Sequence, residues 1–191
     1  MNNSSSVKQA VELACRLYVF FFINVYGVGK ILGGQFYTPE RIPPEVAQVP
    51  LGKAESFDLA WTFMGHSYAY ILFVGVLQIA GAWMLLFRRT KLIGVCILLP
   101  ILTNIIVFDI NFLDAYGALV SAGIYFCMLL VILALNREQV LAAIRSLMAP
   151  APRTATSFRQ KAGIVLAAGG IMALVFLIDQ LLVNWIGHGK G

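Results

Sequence analysis

Lys30, His66, Tyr70, Asn104 and Asp109 are the residues of this chain best equipped to hold a ligand, and each stands in or beside a strongly apolar run. Together they offer a cation, an imidazole, a phenol, an amide and a carboxylate. Polar groups inside a bilayer are costly, so they face a bundle interior or one another. Each of the five therefore has a structural and a functional reading. Lys30 either snorkels to an interface, with Arg16 doing the same at the other end of the helix, or turns inward as the cation of a pocket. The two residues lie about 21 Å apart along a helix and share nearly one face. His66 and Tyr70 are one turn apart, and His66 either bonds a neighbouring group or joins a ligand site. Asn104 and Asn111 share a face. Asp109 is rotated off it, and a kink at Pro100 can change that relation. Gln78, flanked by Gly75 and Gly81, reads as an interhelical packing contact. Asp109-x-Asn111-x-x-Asp114 lacks the ligand count of a calcium loop and reads as a solvated acidic turn.

Other chemistries lack their residues. Cys15, Cys96 and Cys127 form no C-x-x-C pair. With only two histidines they give no metal-ligand spacing, and no metal site is expected. There is no phosphate-binding glycine loop, HExxH, nucleophile elbow or dinucleotide fingerprint. No residue is assigned to catalysis, and whether the chain is an enzyme stays open.

The elements that must position these groups are apolar runs near residues 12–32, 64–87, 92–112, 116–135 and 162–186. A bilayer core about 30 Å thick needs roughly 20 mostly apolar residues per spanning helix. The chain is 60% hydrophobic and only 12% charged, with a mean hydropathy of +0.83. Soluble domains carry about 25% charged residues. These features predict an all-α membrane protein with no sizeable soluble domain. The first run is too long for a signal peptide and is followed by no cleavage site, so it is read as a span.

Basic residues set the expected orientation. With the N-terminus inside, Lys8, Arg16, Arg88, Arg89, Lys91, Arg137, Arg145, Arg153, Arg159 and Lys161 face the cytoplasm. Lys30, Arg41, Lys53 and Lys190 face outward. Cytoplasmic loops carry such an excess. The +5 net charge then anchors the inner leaflet and calls for no nucleic-acid partner. In this topology the C-terminus is outside. Lys30, His66, Tyr70, Asn104 and Asp109 come from three helices and fall at similar depth in the outer half. They form the candidate site for a small amphipathic ligand.

Residues 1–148 are expected to form a four-helix transmembrane bundle, its fourth helix extended along the inner leaflet over 136–148. Residues 149–161 form a cytoplasmic linker, and 162–191 a fifth transmembrane helix with a short tail. The second helix is expected to start near Ser56 or Asp58 and run unbroken to the Arg88-Arg89 turn. Residues 37–56 hold four prolines, Pro39, Pro43, Pro44 and Pro50. They read equally as a plain linker or as a lid over the outer mouth.

Tyr26-Gly-Val-Gly-Lys30, Gly33-Gly-Gln-Phe36, Trp61-Thr-Phe-Met-Gly-His-Ser67 and Gly75-Val-Leu-Gln-Ile-Ala-Gly81 occur in that order. Leu86-Phe-Arg-Arg-Thr-Lys-Leu-Ile-Gly94, Leu99-Pro-Ile-Leu-Thr-Asn104 and Asp109 follow. In this order and spacing the chain resembles DoxX-like bacterial membrane proteins over residues 10–136. The resemblance implies a four-helix bundle in the bacterial inner membrane, to which the fifth helix is an addition. Founding members are associated with thiosulfate:quinone oxidoreductase, so a quinone as cofactor is implied by the resemblance alone. Many relatives carry an acid where Gln78 stands, which argues against proton handling there. The expected function is binding of a small lipid- or quinone-like molecule, or service as an accessory subunit beside a partner membrane protein or a second copy. The alternatives are a membrane enzyme or quinone-linked redox subunit, and a small transporter.

Overall fold

Inside a bilayer every backbone N–H must find its acceptor within the segment, which makes helices of the long apolar runs. The computed structural model describes residues 3–113, 116–150 and 157–186. Its helices are α1 (Asn3–Ile31), α2 (Pro44–Ala47), α3 (Ser56–Gly65), α4 (Tyr68–Leu86), α5 (Lys91–Phe112), α6 (Tyr116–Leu135), α7 (Arg137–Met148) and α8 (Phe158–Ile186). No strand occurs among the described residues. Five helices, α1, α4, α5, α6 and α8, are long and apolar enough to cross a membrane. The chain is a multi-pass, all-α membrane protein.

It divides into two compact units, Met1–Leu147 and Met148–Gly191. In the first, α1 packs on α4, α4 on α5, α5 on α6, and α6 back on α1. This closed ring encloses Val19, Ile23, Leu85, Leu98, Leu129 and Ile132, all essentially without solvent exposure. The second unit carries α8, which is apolar around its circumference, as a membrane span is.

Small residues set how closely the helices approach. A Cβ at Gly75 would meet Ile31 Cγ1 at 2.7 Å and the Gly27 carbonyl at 3.1 Å, so α1 and α4 cross through this glycine pair. At the far end of α4, a Cβ on Gly94 would meet the Gly81 carbonyl at 2.6 Å and Met84 Cβ at 3.0 Å. Here α4 and α5 touch backbone to backbone. Gly94→Ala should therefore cost about 2 kcal/mol, the usual penalty of overpacking. The measurement is thermal unfolding in detergent, with Gly123→Ala as the control because its Cβ would meet nothing. Equal melting temperatures for the two variants would contradict the close α4–α5 contact.

Four boundaries differ from expectation. The second helix is not continuous: it is α3 and α4, broken at His66 and Ser67. The break coincides with a non-local contact. The backbone of Tyr37 lies against Gly65 so closely that any Cβ there would overlap its carbonyl. Ser67 then takes an extended conformation and caps α4, its Oγ accepting from the Tyr70 N–H at 3.4 Å. Asp58 falls in the first turn of α3, where a carboxylate suits the helix dipole, rather than at its cap. The expected extension of the fourth helix is separated from it by a turn at Asn136. The fifth span begins at Phe158, ahead of residue 162. Residues 151–156 of the linker lie outside the described residues.

Candidate functional site

α4 and α5 meet at Gly81 and Gly94, but toward their other ends a cavity of about 280 Å³ lies between them. Phe73, Val74 and Leu77 of α4 face Pro100, Ile101 and Ile105 of α5 across it. α3 touches both helices and contributes Trp61 and Met64. A smaller chamber of about 110 Å³ continues toward α6, lined by Tyr26, Gln78, Ser121 and Tyr125. Lys30, Gln35, Trp61, Ile105 and Asp109 line both spaces and so stand at their junction.

Two ionisable groups are buried at this junction. Lys30 is 5% exposed and Asp109 is 7% exposed, yet they make no direct ion pair. The Asp109 Oδ2 atom has no hydrogen-bond partner among the described residues. Lys30 Nζ lies 5.9 Å from the Tyr26 ring centroid, at the limit of a cation–π contact. One turn deeper, Gln78 is 1% exposed and its Oε1 also lacks a partner. Buried polar atoms in native proteins are almost always bonded, and leaving one unpaired costs about 1–3 kcal/mol. A cation that makes no ion pair, and a carboxylate oxygen and an amide oxygen that lack partners, thus converge on one small apolar space. The arrangement can hold a polar head bearing both an acceptor and a donor.

The roof of this space is aromatic. Trp61 meets Phe36 edge-on at 5.4 Å and stacks on Phe57 at 4.3 Å. Gln35 and Phe36, just after α1, are therefore the part of the connection that covers the mouth. The proline-rich stretch beyond them is largely exposed and serves as a connector.

Of the five residues expected to converge, Lys30, Tyr70, Asn104 and Asp109 line the cavity. Lys30 faces inward rather than snorkelling. Tyr70 and Asn104 are exposed and form its rim. His66 does not line this cavity. The break between α3 and α4 leaves it exposed at their junction, where it opens on a separate depression with Leu59 and Phe63. Asn111 bonds its own helix, its Nδ2 donating to the Val107 carbonyl at 2.6 Å. Asp114 lies outside the described residues. Gln78, read from sequence as a packing residue, lines the inner chamber instead. Its sign in the sequence was a polar residue deep in a span between glycines, which does not tell a neighbouring helix from a cavity. Gln35, Trp61 and Tyr125 were also not anticipated, because they reach the site from a loop, from α3 and from α6.

Arg16 does not snorkel either. It is 7% exposed. Its Nε and Nη2 donate to the Leu85 and Leu86 carbonyls, both at 2.5 Å, capping the end of α4. Glu12 Oε1 lies 3.6 Å from Arg16 Nη1 and accepts from Lys91 Nζ at 2.6 Å. Lys91 also donates to Asn136 Oδ1 at 2.6 Å. This network ties together α1, α4, α5 and the turn after α6. A larger depression beside it is lined by Glu12, Arg16 and Lys91, whose bonds are already made, together with Ser6, Gln9 and Arg88. It lacks the unsatisfied atoms of the Lys30 cavity.

No family model matches the chain, and no solved structure matches it. It is 34% identical over 140 residues to an uncharacterized protein, YwoB, of Bacillus subtilis (strain 168), a match that covers 73% of this chain and 86% of that protein. At that identity and coverage, the chain belongs to the family of YwoB.

Proposed function

We propose that this protein is a DoxX-like component of the bacterial inner membrane that binds one small lipophilic molecule with a polar head between α4 and α5. The observation that carries this reading is the buried, unpaired set of Lys30 and Asp109 on a cavity with apolar walls. Binding sites for small molecules have that composition: mostly apolar lining and a few convergent polar groups. A purely structural Lys–Asp pair would close into direct contact.

The test is native mass spectrometry of protein purified in its own membrane lipids and released from nanodiscs. One retained small molecule per chain is expected. Retention of none, together with a stoichiometric protein partner, would favour the accessory-subunit role. A quinone as the retained molecule would support the redox role that the DoxX resemblance implies.

The proposed orientation has the N-terminus in the cytoplasm and the C-terminus outside, because basic residues gather at the Arg16 end. Reporter domains fused after Arg88 and after Gly191 should give opposite signals. Matching signals would exclude this topology.

A further inference from the structure

The Lys30 cavity is open on one side in a way that constrains its occupant. Phe73 of α4 is 60% exposed, and Pro100 and Asn104 of α5 are also exposed. All three line the cavity as well. The gap between the two helices therefore reaches the surface that a membrane span turns toward lipid. On its other sides the space is closed by Phe36, Trp61 and Met64.

The polar atoms are ordered in depth. Gly75 of α4 packs against Ile31 and Gly27 of α1, which places Lys30 near the level of Gly75. Gln78 is three residues further along α4, about 4.5 Å deeper by helix rise. The cation thus lies above, and two unpartnered acceptor atoms, Asp109 Oδ2 and Gln78 Oε1, lie beside it and below. Acceptors without partners call for a donor from the ligand.

We propose that the cavity takes a single-chain acidic amphiphile sideways from the bilayer, selecting one with a hydroxyl on the chain side of its acid group. This rests on the reading of the cavity as a binding site. The acid oxygen meets Lys30. The hydroxyl, a few ångströms nearer the chain, donates to the unpartnered Oδ2 of Asp109, which lines the same cavity. The chain leaves between Phe73, Val74 and Leu77 on one side and Pro100 and Ile101 on the other. A cavity of about 280 Å³ holds the head and the first part of one chain, and the rest lies in the bilayer beside Phe73. Two lipid types share this chemistry: 3-hydroxy fatty acids and lysophosphatidic acids, whose free glycerol hydroxyl lies between phosphate and chain.

The experiment measures retention by the full-length protein in phosphatidylcholine nanodiscs, using native mass spectrometry and matched probes. One pair is 3-hydroxytetradecanoate against tetradecanoate. The other is tetradecanoyl lysophosphatidic acid against tetradecyl phosphate, which lacks the hydroxyl. The wild type should prefer the hydroxylated member of at least one pair by about fivefold, the scale of one net hydrogen bond. The pair that shows the preference identifies the source of the head. Asp109→Leu should shrink that preference. Lys30→Met should lose all four probes. Equal retention within both pairs by the wild type overturns the inference and leaves the binding site standing. Competition by glycerol 3-phosphate, which has no chain, also overturns it. If the wild type retains none of the four and carries no molecule of its own, the binding-site reading itself fails. The wild-type comparison needs no variant, so misfolding of Asp109→Leu cannot rescue the inference.

Discussion

Glu12→Ala should lower the stability of the bundle by about 2 kcal/mol, between the worth of an exposed ion pair and the cost of breaking a buried one. Glu12 is the one carboxylate against two cations, Arg16 and Lys91, whose side chains are 8% and 11% exposed. Without it the two positive groups face each other with only neutral acceptors, the Leu85 and Leu86 carbonyls and Asn136 Oδ1. The effect should exceed that of any single apolar truncation at the helix surface, because four segments lose their common tie. Glu12→Gln keeps an acceptor for Lys91 and should fall between wild type and Ala. Thermal unfolding in detergent gives the ranking. A loss for Glu12→Ala of under about 1 kcal/mol would mark the cluster as a solvated surface pair, whose usual worth lies in that range.

The second large effect concerns ligand retention. Lys30→Met should weaken binding by about 10- to 100-fold, since a hydrogen bond to a charged group is worth about 1.5–3 kcal/mol. The same change strands the Asp109 carboxylate in an apolar space, so the variant should also be less stable. Combining Lys30→Met with Asp109→Asn removes both charges. The double variant should regain stability over Lys30→Met alone, yet binding should stay lost. That split separates a ligand-holding role from a structural one. If stability and binding recover together, the two groups serve the fold only.

The spans were legible in the sequence because a bilayer imposes a length and an apolar composition that few other environments demand. The expected runs 92–112 and 116–135 coincide closely with α5 and α6. Most of the candidate site's lining was legible for a related reason. A lysine and an aspartate within spans must go somewhere, and depth along the helices put Lys30, Tyr70, Asn104 and Asp109 together. What stayed hidden depends on contacts distant in sequence. The break after Gly65 coincides with the passage of Tyr37, and His66 stands at it, off the cavity. The capping of α4 by Arg16 joins residues far apart in the chain. Gln78 sits on the expected helix and at the expected depth. Which neighbour its side chain meets is set by the gap between α4, α5 and α6, and no periodicity records that.

The most direct test of the binding site is a high-resolution structure of the protein purified from native membranes and held in nanodiscs. Density for one non-protein molecule is expected between α4 and α5, its polar end within hydrogen-bond distance of Lys30 Nζ and its apolar end reaching the gap beside Phe73. A cavity collapsed around a direct Lys30–Asp109 ion pair, with no density beyond the side chains, would contradict it.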